Sequence, residues 1–258
     1  MKDFTFSAYQ CYLNTLKAGG FLNLRVDEYL ELYPKPQRFF IIRHDVDRRP
    51  KKALHMAQLE RTMNIRATYY FRAKPHVFKP DIMKTIAEMG HEIGYHYESL
   101  CDTKGNILKA LKDFEQNLAK FRLWVDVKTV AMHGRPLSPF DSRELWMHVD
   151  HKKLLSEQYQ ILGEAYLDID YTDIAYLTDT GRNWSLSRAN RRDRVASRDI
   201  PEIHTSDHLL EFFRAQTASK IVFQVHPERW AESLPDYLLC SGMDYAVNLV
   251  KKVMNYGS

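Results

Sequence analysis

From residue 39 onward, short apolar runs alternate with segments of helical periodicity, and few folds accept that order. Phe39-Phe40-Ile41-Ile42 reads as a buried strand leading into Arg43-His44-Asp45. Pro50 opens a helix with Ala53, Met56, Leu59 and Met63 at helical spacing. Ala67 to Phe71 is a second strand. Ile82, Met83, Ile86 and Met89 mark a second helix, which Gly90 ends at its C′ position. His91 to His96 is a third strand. Ile107, Leu111, Phe114, Leu118 and Phe121 form an amphipathic helix, and Val127 to Met132 a fourth strand. Gln160 to Tyr166, Ile174 to Leu177 and Ile221 to Val225 read as later strands, and Tyr245 to Met254 as a closing helix. Residues 1–38 are expected to form a helix and an irregular lead-in that covers or plugs one end. This order predicts parallel strands joined by right-handed crossovers. Periodicity alone leaves open whether they close as a barrel or stay a doubly wound sheet.

The 258 residues suit one barrel, and with no repeat or low-complexity linker a single domain over 1–258 is expected. Hydrophobic residues at 45% and charged residues at 27% fit a globular chain with a real core. The net charge of +4 is not gathered into the stripe or tail of a nucleic-acid binder over most of the chain. The opening MKDFTFSAYQ lacks the pattern of a secretory signal, and no apolar run approaches the ~18 residues that suggest a membrane span. Cys11, Cys101 and Cys240 are odd in number and form no CxxC pair, which suits a reducing cytoplasm.

In parallel α/β folds, functional groups collect at the C-terminal ends of the strands. The first strand ends in Asp45-Val46-Asp47, whose carboxylates point the same way by strand alternation. Two close carboxylates repel, and a cation or shared proton would relieve them; Asp47 alone would also suit a helix cap before Pro50. In Gly90-His91-Glu92-Ile93-Gly94-Tyr95-His96-Tyr97-Glu98, an extended chain puts Glu92, Gly94, His96 and Glu98 on one face. Thr129, Ala131 and His133 share a face of the fourth strand, and Gln224 and His226 share one of the last. Any single histidine here would pass for a structural residue, but Asp, His, His and His at four strand ends converge if the sheet curls.

Asp45-Val46-Asp47 after an apolar strand, Gly90-His91-Glu92-Ile93-Gly94 leading to His96, and a late strand ending in His226 together resemble the polysaccharide deacetylase (NodB-homology, carbohydrate esterase 4) family. The resemblance is clearest over Arg38–Pro136 and returns around Ile221–Trp230. It implies a distorted (β/α)7 barrel, with Asp45 as general base, Asp47 and His96 as ligands of a divalent metal, most simply zinc, and His226 as general acid. The family's second imidazole ligand, in a His-x-x-x-His pattern, falls here on Leu100, which cannot bind a metal. Its arginine motif on the fourth strand is not plainly matched. Glu98 and His133 are the candidate replacement ligands, with Cys101 as a weaker third. Arg43 and His44 would orient or tune the Asp pair, and Arg135 stands just beyond His133.

Tyr176 to Trp184 places polar residues around Gly181 and ends in Trp184, which suits a sugar-binding loop with Asp179, Arg182 and Trp184 as contacts, although a glycine turn with a core tryptophan reads equally well. Six arginines, at 182, 188, 191, 192, 194 and 198, suit phosphate. The resemblance and these residues together imply metal-dependent hydrolytic N-deacylation, most simply deacetylation, of an amino sugar. A nucleotide- or lipid-linked cytoplasmic precursor of surface polysaccharide (O-antigen or capsule type) is the expected substrate, with no nucleic-acid partner. The rivals are a metal-independent amide hydrolase on the same barrel and an inactive carbohydrate-binding barrel, for which Leu100 is the main support.

Overall fold

The computed structural model describes residues 2–135, 138–147, 149–182, 184 and 195–242. The expected closing helix at 245–254 and Arg188, Arg191, Arg192 and Arg194 lie outside the described residues, as do Asn183 and Pro136.

The strands are β1 (Leu22–Leu24), β2 (Phe39–Val46), β3 (Thr68–Arg72), β4 (Glu92–Tyr97), β5 (Thr129–Met132), β6 (Gly163–Glu164), β7 (Ala175–Thr178) and β8 (Lys220–Val225). They form one parallel sheet in the order β6-β5-β4-β3-β2-β8-β7, with β1 pairing the first half of β2. Among the described residues all ladders between these strands are parallel, as the alternation of strand and helix requires. The sheet curls into an incomplete α/β barrel. Among the described residues no ladder joins β6 to β7. Side chains bridge that seam instead: Tyr166, just after β6, and Tyr176 on β7 meet at Gln224 of β8, at 3.0 and 2.6 Å.

Around the sheet run α1 (Phe6–Ala18), α2 (Val26–Glu31), α3 (Pro50–Thr62), α4 (Pro80–Glu88), α5 (Ser99–Asp102), α6 (Ile107–Arg122), α7 (His151–Lys153) and α8 (Ser206–Ala215). Pro50 and Pro80 sit in the first turns of α3 and α4, where a missing N–H costs nothing. Gly90 follows α4 with φ +94°, the left-handed C′ position expected for it.

The lead-in divides its work. Tyr9 and Tyr12 of α1 pack with Phe223 and Trp230 on the outer face of β8, beside Phe213 of α8. α2 instead meets the N-terminal end of the sheet interior, where Val26 N–H donates to Thr68 and Asp27 N–H to Glu92. The segment expected as a strand over Gln160–Tyr166 is regular only at Gly163–Glu164; its backbone then turns as Tyr166 and Leu167 N–H donate to the Glu164 carboxylate. Gly94 has a steric reason: a Cβ there would lie 2.3 Å from the Tyr70 ring, which crosses the interior beside it.

Candidate active site

Alternation sends Arg43, Asp45 and Asp47 into the sheet interior from β2, Tyr70 and Arg72 from β3, His96 and Glu98 from β4, His133 from just past β5, and Gln224 and His226 from β8. The registers bring them level: Arg43 pairs with Gln224, Asp45 with Tyr70, Arg72 with His96, and His96 with Ala131.

Asp45 is buried and held on both oxygens. Arg43 Nε and Nη2 donate to Oδ1 and Oδ2 at 2.8 and 2.7 Å, and Gln224 Nε2 donates to Oδ2 at 2.6 Å. Burial opposes ionisation, but the Arg43 guanidinium, with His96 beyond it, outweighs it and holds the carboxyl below its usual range. Arg43 is itself fully buried, its guanidinium 4.0 Å from the centre of the Tyr166 ring. It therefore acts on Asp45 and is not exposed to a ligand. Gln224, Tyr166 and Arg72 join the candidate site although no role was assigned to them from sequence. Alternation along Thr68-Tyr69-Tyr70-Phe71-Arg72 could have placed Arg72, whereas nothing local marks Tyr166.

His96 Nδ1 lies 2.9 Å from the Ala131 carbonyl, which can only accept, so Nδ1 carries the proton. Nε2 faces Asp47 Oδ1 at 3.5 Å and Asp45 Oδ2 at 3.7 Å. His133 Nε2 lies 3.2 Å from the same Asp47 Oδ1. Asp47 is held well below its usual range: burial opposes this and the His133 charge overcomes it. On its other side, His133 Nδ1 is 3.3 Å from Glu98 Oε2. Burial depresses His133 while Asp47 and Glu98 raise it, for a net value of about 9. Glu98 is engaged by Arg72, whose Nε and Nη2 donate to Oε1 at 2.9 and 2.8 Å. Burial would raise its pKa, but His133 and Arg72 draw it down.

His226 completes the group. Its Nε2 is 4.0 Å from Asp47 Oδ2, and its Nδ1 is 2.5 Å from Asp179 Oδ1. Asp179 lies just past β7, accepts the His226 backbone N–H and the Trp230 indole N–H on Oδ2, and is fully buried. Burial and Arg229 lower the His226 pKa, but Asp179 prevails and raises it to about 9.

Several expected contacts are corrected. His44 points to the outer face: its Nε2 lies 2.7 Å from Glu60 of α3 and its ring stacks on Tyr69, so it neither orients the Asp pair nor faces a substrate. Trp184 is 1% exposed and stacks on Phe4 at 4.7 Å, beside Phe223 on the outer face of β8, which rules out a sugar platform. Asp179 supports His226 and does not line a loop. The Arg182 guanidinium lies over Phe4 and Tyr237. Arg135 stands at the mouth, bonded to Asp102 at 2.8 Å. Leu100, buried at the start of α5, packs in the core. Cys101 Sγ faces the Phe140 carbonyl, which removes it as a ligand candidate.

Asp47, His96 and His133 suit a metal. Ligand atoms about 2.0–2.1 Å from a tetrahedral zinc stand about 3.3 Å apart, and the 3.2 and 3.5 Å separations bracket that value. Asp47 Oδ1, at the centre of the three, is buried without a conventional hydrogen bond. Glu98 behind His133 and Ala131 behind His96 are the outer partners that imidazole ligands normally have. Their placement here falls short of a formed site: among the described residues, no three or more His, Cys, Asp or Glu side chains are grouped so as to hold a metal ion.

No family model matches the chain, and no curated protein matches it. Solved structures of carbohydrate esterase family 4 are similar to it. A Streptococcus mutans CE4 esterase is 15% identical, with 92% of this chain and 90% of that one covered, at a TM-score of 0.45. The Xyl-CE4 domain of a multidomain xylanase from the hindgut metagenome of Trinervitermes trinervoides is 13% identical over 86% of this chain and 85% of its own, at 0.41. A CE4 family pseudoenzyme from Bacillus anthracis is 12% identical over 85% of this chain and 62% of its own, at 0.41. These likenesses are remote, and any account of activity rests on the residues themselves.

Proposed function

We propose that this chain hydrolyses the N-acyl amide, most simply N-acetyl, of an amino sugar. The observation that carries the reading is the pairing of opposite roles around Asp47: Asp45, kept ionised by Arg43 and Gln224, and His226, kept protonated by Asp179. Water attacks the acyl carbon and Asp45 takes its proton. The C–N bond breaks as His226 Nε2 gives a proton to the departing amine, so that a carboxylic acid and a free amino sugar leave. A divalent cation, most simply zinc, held by Asp47, His96 and His133 would polarise the acyl carbonyl and ease deprotonation of the attacking water. Glu98 then orients His133 and is not itself the third ligand.

The substrate we propose is a phosphate-bearing precursor, nucleotide- or lipid-linked, of surface-polysaccharide (O-antigen or capsule type) biosynthesis, met in the cytoplasm. The three cysteines are all unpaired, in keeping with a reducing compartment, and no described helix is long and apolar enough to cross a membrane.

One observation favours a metal-independent amide hydrolase as the second reading. His133 lies between Asp47 and Glu98, one carboxylate at each ring nitrogen, so an imidazolium can supply the positive charge there. The deciding experiment is metal content of protein purified without chelator or metal-binding tag. About one zinc per chain, lost in both His96→Ala and His133→Ala, supports the first reading. Turnover by protein that binds neither zinc, cobalt nor nickel supports the second.

A further inference from the structure

The mouth of the site carries a second charged group that the proposed hydrolysis does not use. Lys74 follows the end of β3 and Arg135 the end of β5, on either side of β4 in the sheet. α5 crosses the top of β4 and sets Asp102 between them. Lys74 Nζ donates to Asp102 Oδ2 at 2.6 Å, and Arg135 Nη1 to Asp102 Oδ1 at 2.8 Å. The same two cations lie 3.5 and 3.6 Å from the two oxygens of Glu98 beneath them.

Glu98 is a poor counter-charge for either one, because it is already engaged by Arg72 and faces His133. Three cations, Arg72, Lys74 and Arg135, thus stand against two carboxylates. They are also layered. The Glu98 side chain is 5% exposed, whereas those of Lys74 and Arg135 are 30% and 41% exposed. Asp102, 28% exposed, stands at the level of the cations, so an arriving ligand meets both cations with one carboxylate between them. Arg135 makes both carboxylate contacts through Nη1 alone, while a guanidinium carries five N–H donors and an ammonium three. Asp102, bonded to both, fixes their spacing before a ligand arrives, which lowers the ordering cost of binding.

We propose that Lys74 and Arg135, held side by side by Asp102, form an anion-binding subsite that takes a phosphate ester or carboxylate carried by the substrate. This rests on the amino-sugar reading and adds where a negative group docks: beside His133, one carboxylate removed from the reacting centre.

The test is calorimetric binding of N-acetylglucosamine, N-acetylglucosamine 1-phosphate and N-acetylmuramic acid to the full chain at low salt. At least one charged sugar binds about tenfold or more tightly than the neutral one, equivalent to about 1.4 kcal/mol, and which one does so separates phosphate from carboxylate. The preference shrinks as salt is added. It falls toward unity in the Lys74→Met, Arg135→Met double variant and is kept in Lys74→Arg, Arg135→Lys. No preference in the wild type, or an undiminished preference in the double methionine variant, overturns the subsite. Acetate release measured in parallel separates the two ideas. Preference without hydrolysis sinks the deacylase reading and keeps the subsite, and hydrolysis without preference does the reverse.

Discussion

In the proposed reaction Asp45 and His226 have opposite tasks, Asp45 prepared by Arg43 and Gln224 and His226 by Asp179. Arg43 keeps Asp45 a carboxylate, so Asp45→Asn should lower turnover by about 10²- to 10⁴-fold, the range for a lost general base. Calorimetry should find sugar binding retained; a barrel that only binds carbohydrate would bind unchanged and have no turnover to lose. His226 titrates at about 9 because Asp179 outweighs burial. A general acid must be protonated, so activity should hold below that value and fall as pH rises through it. In Asp179→Asn the falling limb moves down toward the ordinary histidine value of about 6.5 or below, and a pH–rate profile whose limb stays near 9 would separate the limb from His226. The same raised pKa means that the pair contributes stability below the unfolded histidine value and loses it as pH climbs through about 9. The strand-end residues Asp45, Asp47, His96, His133 and His226 were legible in the sequence because alternation fixes which way each points. His44 was misread because its type suggested chemistry while its strand face put it outside, and of the two readings open for Trp184 the structure takes the core one.

At the scale of elements, β4 and α3 carry the most specific demands. The Gly94 backbone leaves room for the Tyr70 ring, and Gly94→Ala would set a Cβ into it. Overpacking of that kind costs about 1–3 kcal/mol, and denaturant unfolding should register the loss together with a drop in metal affinity, since His96 is two residues along. Glu60 of α3 accepts from Tyr69 at 2.7 Å, pairs with His44 at 2.7 Å and bonds the Tyr9 hydroxyl, all in the core behind β2. Glu60→Ala strands those groups, at a cost of about 3–5 kcal/mol. Burial opposes the Glu60 charge, but His44 and His91 hold its pKa below the usual value, so this contribution is present above the unfolded carboxylate range and fades on acidification. β2 to β5 and β8 could be read because each carries a short apolar or aromatic stretch next to a patterned helix or a turn signal. β6 could not, since its two residues are ordered by the Glu164 carboxylate capping the next turn, a contact with no periodic signature. β1 was missed for a similar reason: three residues on the margin of β2 are too few to show a pattern.

For the whole molecule, curling the sheet is what turns separate strand ends into one site. β4 and β8 lie on opposite sides of β2, with β3 between β2 and β4, yet their histidines both approach Asp47. Alternation of elements predicted a parallel sheet but not this curvature, which depends on interior side chains such as Tyr70, Tyr166, Tyr176 and Gln224 meeting across it. The site so formed is proposed to hydrolyse an N-acyl amino sugar. The most direct measurement is acetate released from a panel of N-acetylated amino sugars, free and phosphorylated, by zinc-supplemented wild type beside Asp45→Asn and His226→Ala. Acetate and free amine should appear in equal amounts from the wild type, with little from either variant. Wild-type release no greater than that of the two variants would contradict that proposal.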